Sequence, residues 1–185
     1  MKRVLIIFGI IALLIALTLI SVYNGIISKQ ETITAKWAQV ENQLQRRNDL
    51  IPNLVNTVKG YAGHEKTIFE DVTAARSQWA AAGTLEGKVK AAGAVDAALA
   101  RLLMVVENYP NLKADQTFLK LMDELSGTEN RIAVERMRYN EAVRVYNITV
   151  RSFPGNIVSH KFGFKVATEY FRAQEKAKAV PEVKF

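Results

Sequence analysis

The sequence has no cysteine, only two histidines and few residues that interrupt helices. Without cysteine the chain has no disulfide, thiol nucleophile or lipid-modified cysteine. The histidines, His64 and His160, fall on different predicted elements, whereas a metal site needs several converging ligands. We therefore predict no metal and no cofactor. Four prolines and ten glycines among 185 residues suit long helices joined by short connections.

The motifs of common enzyme chemistries are also missing. The chain has no G-x-S-x-G, P-loop or H-E-x-x-H sequence, and no E-x-x-H repeats of the kind that build di-iron sites. The formal net charge of +7 raises the question of nucleic acid, but the basic residues are spread along predicted helices. Two of them, Lys2 and Arg3, directly precede an apolar run. We predict neither an enzyme nor a nucleic-acid-binding protein.

The most apolar part of the chain is its N-terminus, where no residue from Val4 to Ser28 is charged. This exceeds the roughly 20 apolar residues that an α-helix needs to cross a bilayer. A cleavable signal peptide is the alternative, but its apolar region is about 7–15 residues long and ends at an A-x-A-like site, which is absent here. We expect a retained anchor over residues 1–28, with its core at Val4–Tyr23. The membrane-spanning residues include Val4, Phe8, Leu13, Leu17 and Val22.

The charges that flank this anchor indicate its orientation. Lys2 and Arg3 stand before it, while Lys29 and Lys36 after it are diluted by acidic residues. Because basic residues tend to remain on the cytoplasmic side, we expect a cytoplasmic N-terminus and a helical domain on the other side of the membrane.

Helical periodicity continues beyond the anchor. Ile26, Ile33 and Val40 recur every seven residues, with Trp37 and Leu44 between them, which is typical of a packed helix seam. We predict that this first helix ends near residue 48, at a turn marked by Asp49 and Pro52. Three more apolar seams follow, over about 54–79, 89–106 and 118–150. The members of the last seam are Phe118, Leu121, Leu125, Ile132, Tyr139, Val143, Tyr146 and Val150.

The predicted fold class is all-α, with no sheet. A single N-terminal transmembrane helix continues into an antiparallel four-helix bundle over residues 29–152, because short connections make neighbouring helices antiparallel. A short aromatic and basic helical segment with a tail follows over residues 153–185. Its aromatic residues indicate either a membrane interface or docking on its own or a neighbouring bundle. These residues are Phe153, Phe162, Phe164, Tyr170 and Phe171.

Several short motifs, in this order, resemble the signature of the LemA family. They are RRNDLIPNLV at 46–55, VKGY at 58–61, HE at 64–65, ENYP at 107–110, TENRIA at 128–133, RYN at 138–140, VYN at 145–147 and FP at 153–154. The resemblance implies a bacterial, single-pass membrane protein with an antiparallel helical domain, and hence the bacterial inner membrane. It implies no enzymatic activity, cofactor or catalytic residue.

The polar and aromatic residues of these motifs are candidate sites. Asn53, Asn130, Asn140 and Asn147 recur beside seam residues, where they would either bind a ligand inside the bundle or satisfy polar groups between helices; we favour the structural role. The complete set is Arg47, Asp49, Pro52, Asn53, Tyr61, Glu65, Glu107, Tyr109, Pro110, Glu129, Asn130, Tyr139, Asn140, Tyr146 and Asn147.

The second and third predicted helices are rich in alanine, which permits close approach of another helix. Because an anchor confines copies to two dimensions and raises their effective concentration, we predict a self-associating scaffold of the cell membrane. The alternative is a membrane-tethered adaptor or sensor that binds another envelope protein through its bundle. The expected partners are thus the lipid bilayer, further copies of the chain and another membrane or envelope protein, but not nucleic acid.

Overall fold

Helices form almost all of the structure, a computed structural model that describes residues 1–171. They are α1 (Lys2–Lys59), α2 (Lys66–Ala81), α3 (Leu85–Val106), α4 (Pro110–Lys113), α5 (Gln116–Arg151) and α6 (Gly155–Phe162). No strand occurs in the described chain, so the all-α prediction is confirmed. Two compact units are present. Unit 1 combines Met1–Ala38 with the chain from Arg136 onward, and unit 2 is Gln39–Glu135.

Helix α1 does not end at the predicted turn near residue 48. It continues through Pro52 to Lys59, so that prediction was wrong. Proline has no N–H to bond the carbonyl of the residue four positions earlier, which is Asn48. In unit 2 the side-chain Nε of Arg76 donates to that Asn48 carbonyl at 3.3 Å, which satisfies the freed acceptor. Buried Ile51 and Leu54 on either side of the proline hold the helix against its neighbours.

Unit 2 contains the alanine-rich helices α2 and α3, which pack on each other. Thr84 caps the N-terminus of α3, and its side-chain oxygen accepts a hydrogen bond from the Gly87 amide at 3.1 Å. The predicted alanine surface divides into two groups. Four members face the inside of the unit, and others lie on its surface. The buried ones are Ala75, Ala91, Ala92 and Ala98, and the exposed ones are Ala74, Ala80, Ala81, Ala97 and Ala100.

Asp115 precedes the first residue of α5, and its Oδ1 accepts a hydrogen bond from the Phe118 amide at 2.9 Å. The apolar seam predicted for this helix is buried except at Leu121, which is half-buried. Its buried members are Phe118, Leu125, Ile132, Tyr139, Val143, Tyr146 and Val150. The helix ends at Arg151, shortly before the Phe153-Pro154-Gly155 sequence, and the Phe153–Pro154 peptide bond is cis.

The core of unit 1 consists of Ile26, Tyr146, Val150 and Val158. Val22, Tyr23, Ile33, Phe164, Val166 and Ala167 pack against it. The predicted C-terminal helical segment is helical only over Gly155–Phe162. Gly163 then adopts a left-handed conformation, with φ of +77°, which ends α6 and turns the chain into an extended segment over residues 164–171. The predicted tail over residues 172–185 lies outside the described residues.

Candidate membrane-interface site

The N-terminal part of α1 presents its apolar side chains to the outside on all sides. Val4, Phe8, Leu13 and Leu17 are all exposed, and none of the apolar window is buried inside the structure. By length and composition this is the one described helix able to cross a membrane. Val22, the last residue predicted to span the membrane, is half-buried against the unit 1 core.

Aromatic rings surround the end of this apolar segment. The Tyr23 ring lies 4.9 Å from the Phe162 ring, in an edge-to-face arrangement, and 5.5 Å from the Phe164 ring. Such pairs are favourable beyond their contact area. Phe164 is half-buried in this contact, whereas Phe162 is 60% exposed. Phe153, at the turn between α5 and α6, is 79% exposed.

Ile157, which was not predicted as a contact residue, is a further exposed apolar side chain of α6. It is 53% exposed on α6. The sequence offers no clear signal for it, because Phe153 precedes the helix and Phe162 follows Ile157 by five residues rather than by three or four. We define the α6 patch as Phe153, Ile157 and Phe162.

The surroundings of the α6 patch are basic. Arg151, Lys161 and Lys165 are exposed, and the sequence from 151 to 168 contains no aspartate or glutamate. The patch therefore combines exposed apolar side chains with a local excess of positive charge beside the end of the apolar segment.

The extended segment of residues 164–171 is held to α5 by two asparagine side chains. Asn147 pairs with the backbone of Ala167: its Nδ2 donates to the carbonyl at 2.7 Å, and its Oδ1 accepts from the amide at 2.8 Å. Asn140 forms the same pair with the backbone of Phe171, at 2.9 Å in both directions. Asn147 Nδ2 also donates to the Tyr170 hydroxyl at 3.0 Å. These two motif asparagines therefore satisfy backbone groups within unit 1.

The motif tyrosines of α5 bind the same segment. The Tyr146 hydroxyl donates to the Lys165 carbonyl at 3.0 Å. Tyr139 lies edge-on to Phe171 at 5.4 Å, and the Trp37 ring stacks on Phe171 at 5.8 Å. Burial is the main cause that raises the pKa of both tyrosines. Phe164, Tyr170 and Phe171 thus dock on unit 1, while Phe153 and Phe162 remain mostly uncovered.

Charged motif residues are paired inside unit 2. Arg47, only 4% exposed, contacts Asp96 at 2.5 Å and Glu129 at 2.8 Å, and so joins α1, α3 and α5. This arrangement neutralises a buried guanidinium through two carboxylates that reach the surface. It is a structural ion-pair network of a kind that needs no ligand to explain it.

The remaining motif contacts of unit 2 surround the short helix α4. The Tyr61 hydroxyl donates to Asp115 at 2.9 Å, and this hydrogen bond raises the pKa of Tyr61. The pKa of Asp115 is lowered, chiefly because its carboxylate accepts a hydrogen bond from the Phe118 amide. Tyr109 donates to Glu65 at 3.4 Å. Glu107 pairs with Lys113, and Pro110 is the first residue of α4.

Other motif positions are not brought together. Asn53 and Asn130 are exposed, and Asp49 accepts a hydrogen bond from the nearby Gln45 side chain. The four motif asparagines therefore do not form one continuous line. Asn48, a motif residue outside the candidate set, is buried. No group of three or more histidine, aspartate or glutamate side chains in residues 1–171 is placed to hold a metal ion.

Comparison with known proteins shows what the chain is similar to. The sequence model of the LemA family matches residues 36–185. The chain is 33% identical to magnetosome protein MamQ 2 of Paramagnetospirillum magneticum over 181 aligned positions, which include 84% of this chain and 66% of that protein. It is 29% identical to magnetosome protein MamQ of Magnetospirillum gryphiswaldense, over 83% of this chain and 66% of the relative.

A third relative is more distant. Protein LemA of Metamycoplasma hominis is 23% identical, over 75% of this chain and 64% of the relative. The chain thus spans about two thirds of the length of the curated relatives that it matches. Because the family model covers most of the sequence, this chain belongs to the LemA family.

Proposed function

We propose that this LemA-family protein is a membrane-anchored, non-enzymatic structural protein that self-associates into a scaffold at the membrane surface. The observation that carries the proposal is the uncovered apolar segment of α1, which continues as one helix into the packed residues from Ile26 onward. Exposing so many apolar side chains to water is costly, at about 25 cal/mol per Å², and a bilayer removes that cost. The flanking Lys2 and Arg3 favour a cytoplasmic N-terminus at the bacterial inner membrane.

The non-enzymatic character is supported by the way in which the family-motif side chains are used. Asn140 and Asn147 bind backbone groups, and Arg47 binds two carboxylates within its own unit. Polar groups engaged in this way fix the positions of helices and segments. A role in stabilising the fold accounts for these side chains without any catalytic function.

Self-association is supported by the confinement that an anchor provides and by the apolar side chains on the surface of unit 2. Met104 is 64% exposed on α3, and Leu119 is exposed near the start of α5. Copies in one membrane meet at a high effective concentration, so weak lateral contacts suffice for assembly. Met104 and Leu119 are therefore the positions at which we would first disrupt assembly.

The test is the mass of the full-length protein in mild detergent, measured by light scattering. We expect a uniform particle of several times the 20.7 kDa monomer. Changing Met104 and Leu119 together to glutamate should reduce that mass. The matched control changes the exposed Asn53 and Asn130 to glutamate, which adds the same charge away from these apolar side chains. A strict monomer at high concentration would overturn the scaffold proposal.

A second function, the adaptor, is favoured by a groove in unit 1. The groove has a volume of about 530 Å³ and mostly apolar walls. Basic side chains lie along it, so it fits an acidic amphipathic helix of another envelope protein. Its lining residues are Lys29, Thr32, Lys36, Met137, Arg138, Glu141, Ala142 and Val145.

Site-directed cross-linking in intact membranes distinguishes the two functions. Because the chain has no cysteine, Met137→Cys and Met104→Cys each introduce a single reactive thiol. The scaffold predicts cross-links between copies at residue 104. The adaptor predicts a stoichiometric cross-link from residue 137 to a different protein, with no cross-link between copies.

A further inference from the structure

We propose that the α6 patch inserts into the headgroup layer of the membrane leaflet that α1 leaves, and that it favours anionic lipids. The proposal rests on the membrane anchor proposed above and adds a second, specific contact between the protein and the lipid surface. It concerns Phe153, Ile157 and Phe162 together with the basic residues beside them. Three observations on unit 1 carry it.

The first observation is position. Phe162 touches Tyr23, the aromatic residue at the end of the apolar segment, at 4.9 Å between ring centroids. Val158 shares the core cluster with Ile26, less than one helical turn further along α1. Helix α6 is therefore held next to the point at which α1 leaves the bilayer. At that depth a membrane has the headgroup region in which aromatic side chains are enriched.

The second observation is that the phenylalanine side chains differ in how far they are exposed. Past the apolar segment, the two phenylalanines that are largely exposed in the described chain are Phe153 and Phe162. The others there, Phe69, Phe118, Phe164 and Phe171, are buried or half-buried. Ile157 is a third exposed apolar side chain within the same ten residues. A lipid interface would cover these side chains without any partner protein.

The third observation is charge. Arg151, Lys161 and Lys165 are exposed around the patch, and no carboxylate occurs in the sequence from 151 to 168. Lysine and arginine near an anionic surface are attracted to it, and their long stems let the charge remain in water while apolar neighbours insert. This charge selects phosphatidylglycerol-like lipids over zwitterionic lipids.

The patch is also fixed in place before it meets the membrane. The Ser159 hydroxyl donates to the carbonyl of Val150 at 2.9 Å, which ties α6 to the end of α5. Gly155 lies so close to α5 that an added Cβ would clash with the carbonyl oxygen of Thr149. An insertion surface that is already ordered loses little further conformational entropy on binding.

The experiment uses full-length single-cysteine variants, each labelled with a fluorophore and reconstituted into vesicles that contain quencher-bearing lipids. Ile157→Cys reports on the patch. Ala38→Cys is the control, at an exposed position of α1 about 22 Å beyond Tyr23 along the helix axis. Leu13→Cys reports on the anchor. The vesicles are phosphatidylcholine with or without phosphatidylglycerol, and lipid quenching gives the inserted fraction of each label.

We expect lipid quenching at residues 13 and 157 but not at residue 38. Changing Lys161 and Lys165 to glutamate should lower the ratio of inserted to solvated label at residue 157 by at least about fivefold with phosphatidylglycerol. The charge-matched control changes Lys90 and Lys120 to glutamate and should leave that ratio unchanged.

The outcomes separate this inference from the proposed anchor. Quenching at residue 13 with no quenching at residue 157 would overturn the inference and leave the anchor standing. Absence of quenching at residue 13 would overturn both. Insertion at residue 157 that is indifferent to phosphatidylglycerol and to the lysine changes would refute the preference for anionic lipids.

Discussion

The asparagine that holds the extended segment gives the sharpest test of the structural role of the family motifs. Asn147→Ala removes two hydrogen bonds to the Ala167 backbone and one to the Tyr170 hydroxyl. Asn147 is only 9% exposed, so water does not simply replace the lost amide while the segment stays in place. The Ala167 amide and carbonyl would then either stay unpaired or recover water by detaching.

The magnitude follows from these three contacts. A hydrogen bond contributes about 0.5–1.5 kcal/mol net, and their sum is an upper limit because the segment can detach and be rehydrated. We expect local opening of residues 164–171 to become easier by about 2–3 kcal/mol, which is about 30- to 150-fold in the opening equilibrium. Global unfolding of α5 should change less, because the apolar contacts of Tyr146 and Val150 remain.

Hydrogen exchange on the full-length protein measures this effect directly. The Ala167 amide should lose protection in Asn147→Ala, while amides in the middle of α5 keep theirs. The control is Asn130→Ala, a motif asparagine that is exposed and should shift stability by no more than about 0.5 kcal/mol. Unchanged exchange at Ala167 would show that Asn147 does not hold the segment, and the structural interpretation of this motif would be wrong.

Three further predictions test other contacts. Gly155→Ala should destabilise the protein by about 1–3 kcal/mol in urea unfolding, because its methyl group would meet a backbone carbonyl of α5; Gly127→Ala, which meets nothing within 4 Å, should not. Arg47→Met should cost about 2–4 kcal/mol because it removes both ion pairs of a buried guanidinium, whereas the exposed Arg144→Met should cost less than about 0.5 kcal/mol. Asp115 has a lowered pKa, so its charged form stabilises the fold above the unfolded pKa of about 4, and that stability is lost as pH falls through the folded pKa. Asp115→Asn should therefore weaken the acid dependence of the melting temperature, and an unchanged profile would contradict this assignment.

The helical content and much of the core could be predicted because burial imposes a period on the sequence. Ile26, Val40 and Leu44 lie on the predicted seam of α1 and are buried. The same reasoning identified most buried positions of α5. The same spacing predicted that Leu121 is buried, whereas it is half-buried. Spacing shows which face of a helix is covered, but it does not show how far along the helix a neighbouring element covers that face.

The predicted turn at residues 49–52 was wrong for a reason that lies elsewhere in the chain. Proline normally ends or kinks a helix because it leaves a carbonyl without a donor. Here the freed carbonyl of Asn48 accepts a hydrogen bond from the guanidinium of Arg76, which is 28 residues further along the sequence. Compensation at that separation cannot be inferred from the local pattern around Pro52, so the local rule gave the wrong helix end.

The candidate site was predictable in its composition but not in its arrangement. Aromatic and basic residues after Phe153 indicated a surface contact, yet they divide into an exposed patch and a docked extended segment. The division depends on Asn140 and Asn147 pairing with backbone 31 and 20 residues further along. Side-chain pairing with a distant backbone leaves no periodic signal in the sequence.

Because α1 continues unbroken past Tyr23, it fixes the distance and the angle between the apolar segment and the α1 residues that pack in unit 1. At about 1.5 Å per residue, Trp37 lies about 21 Å along the helix axis from Tyr23. Deleting one residue between them would shorten this distance by only about 1.5 Å but rotate everything beyond by about 100°, which would move Ile33 and Trp37 off their packing face. The same deletion within Val4–Leu19 changes only a stretch that is apolar on every side, and the bilayer adjusts by a small tilt. The direction in which a side chain points around the helix axis therefore does not matter inside the apolar segment. Immediately after the segment it decides whether a side chain reaches its packing partners.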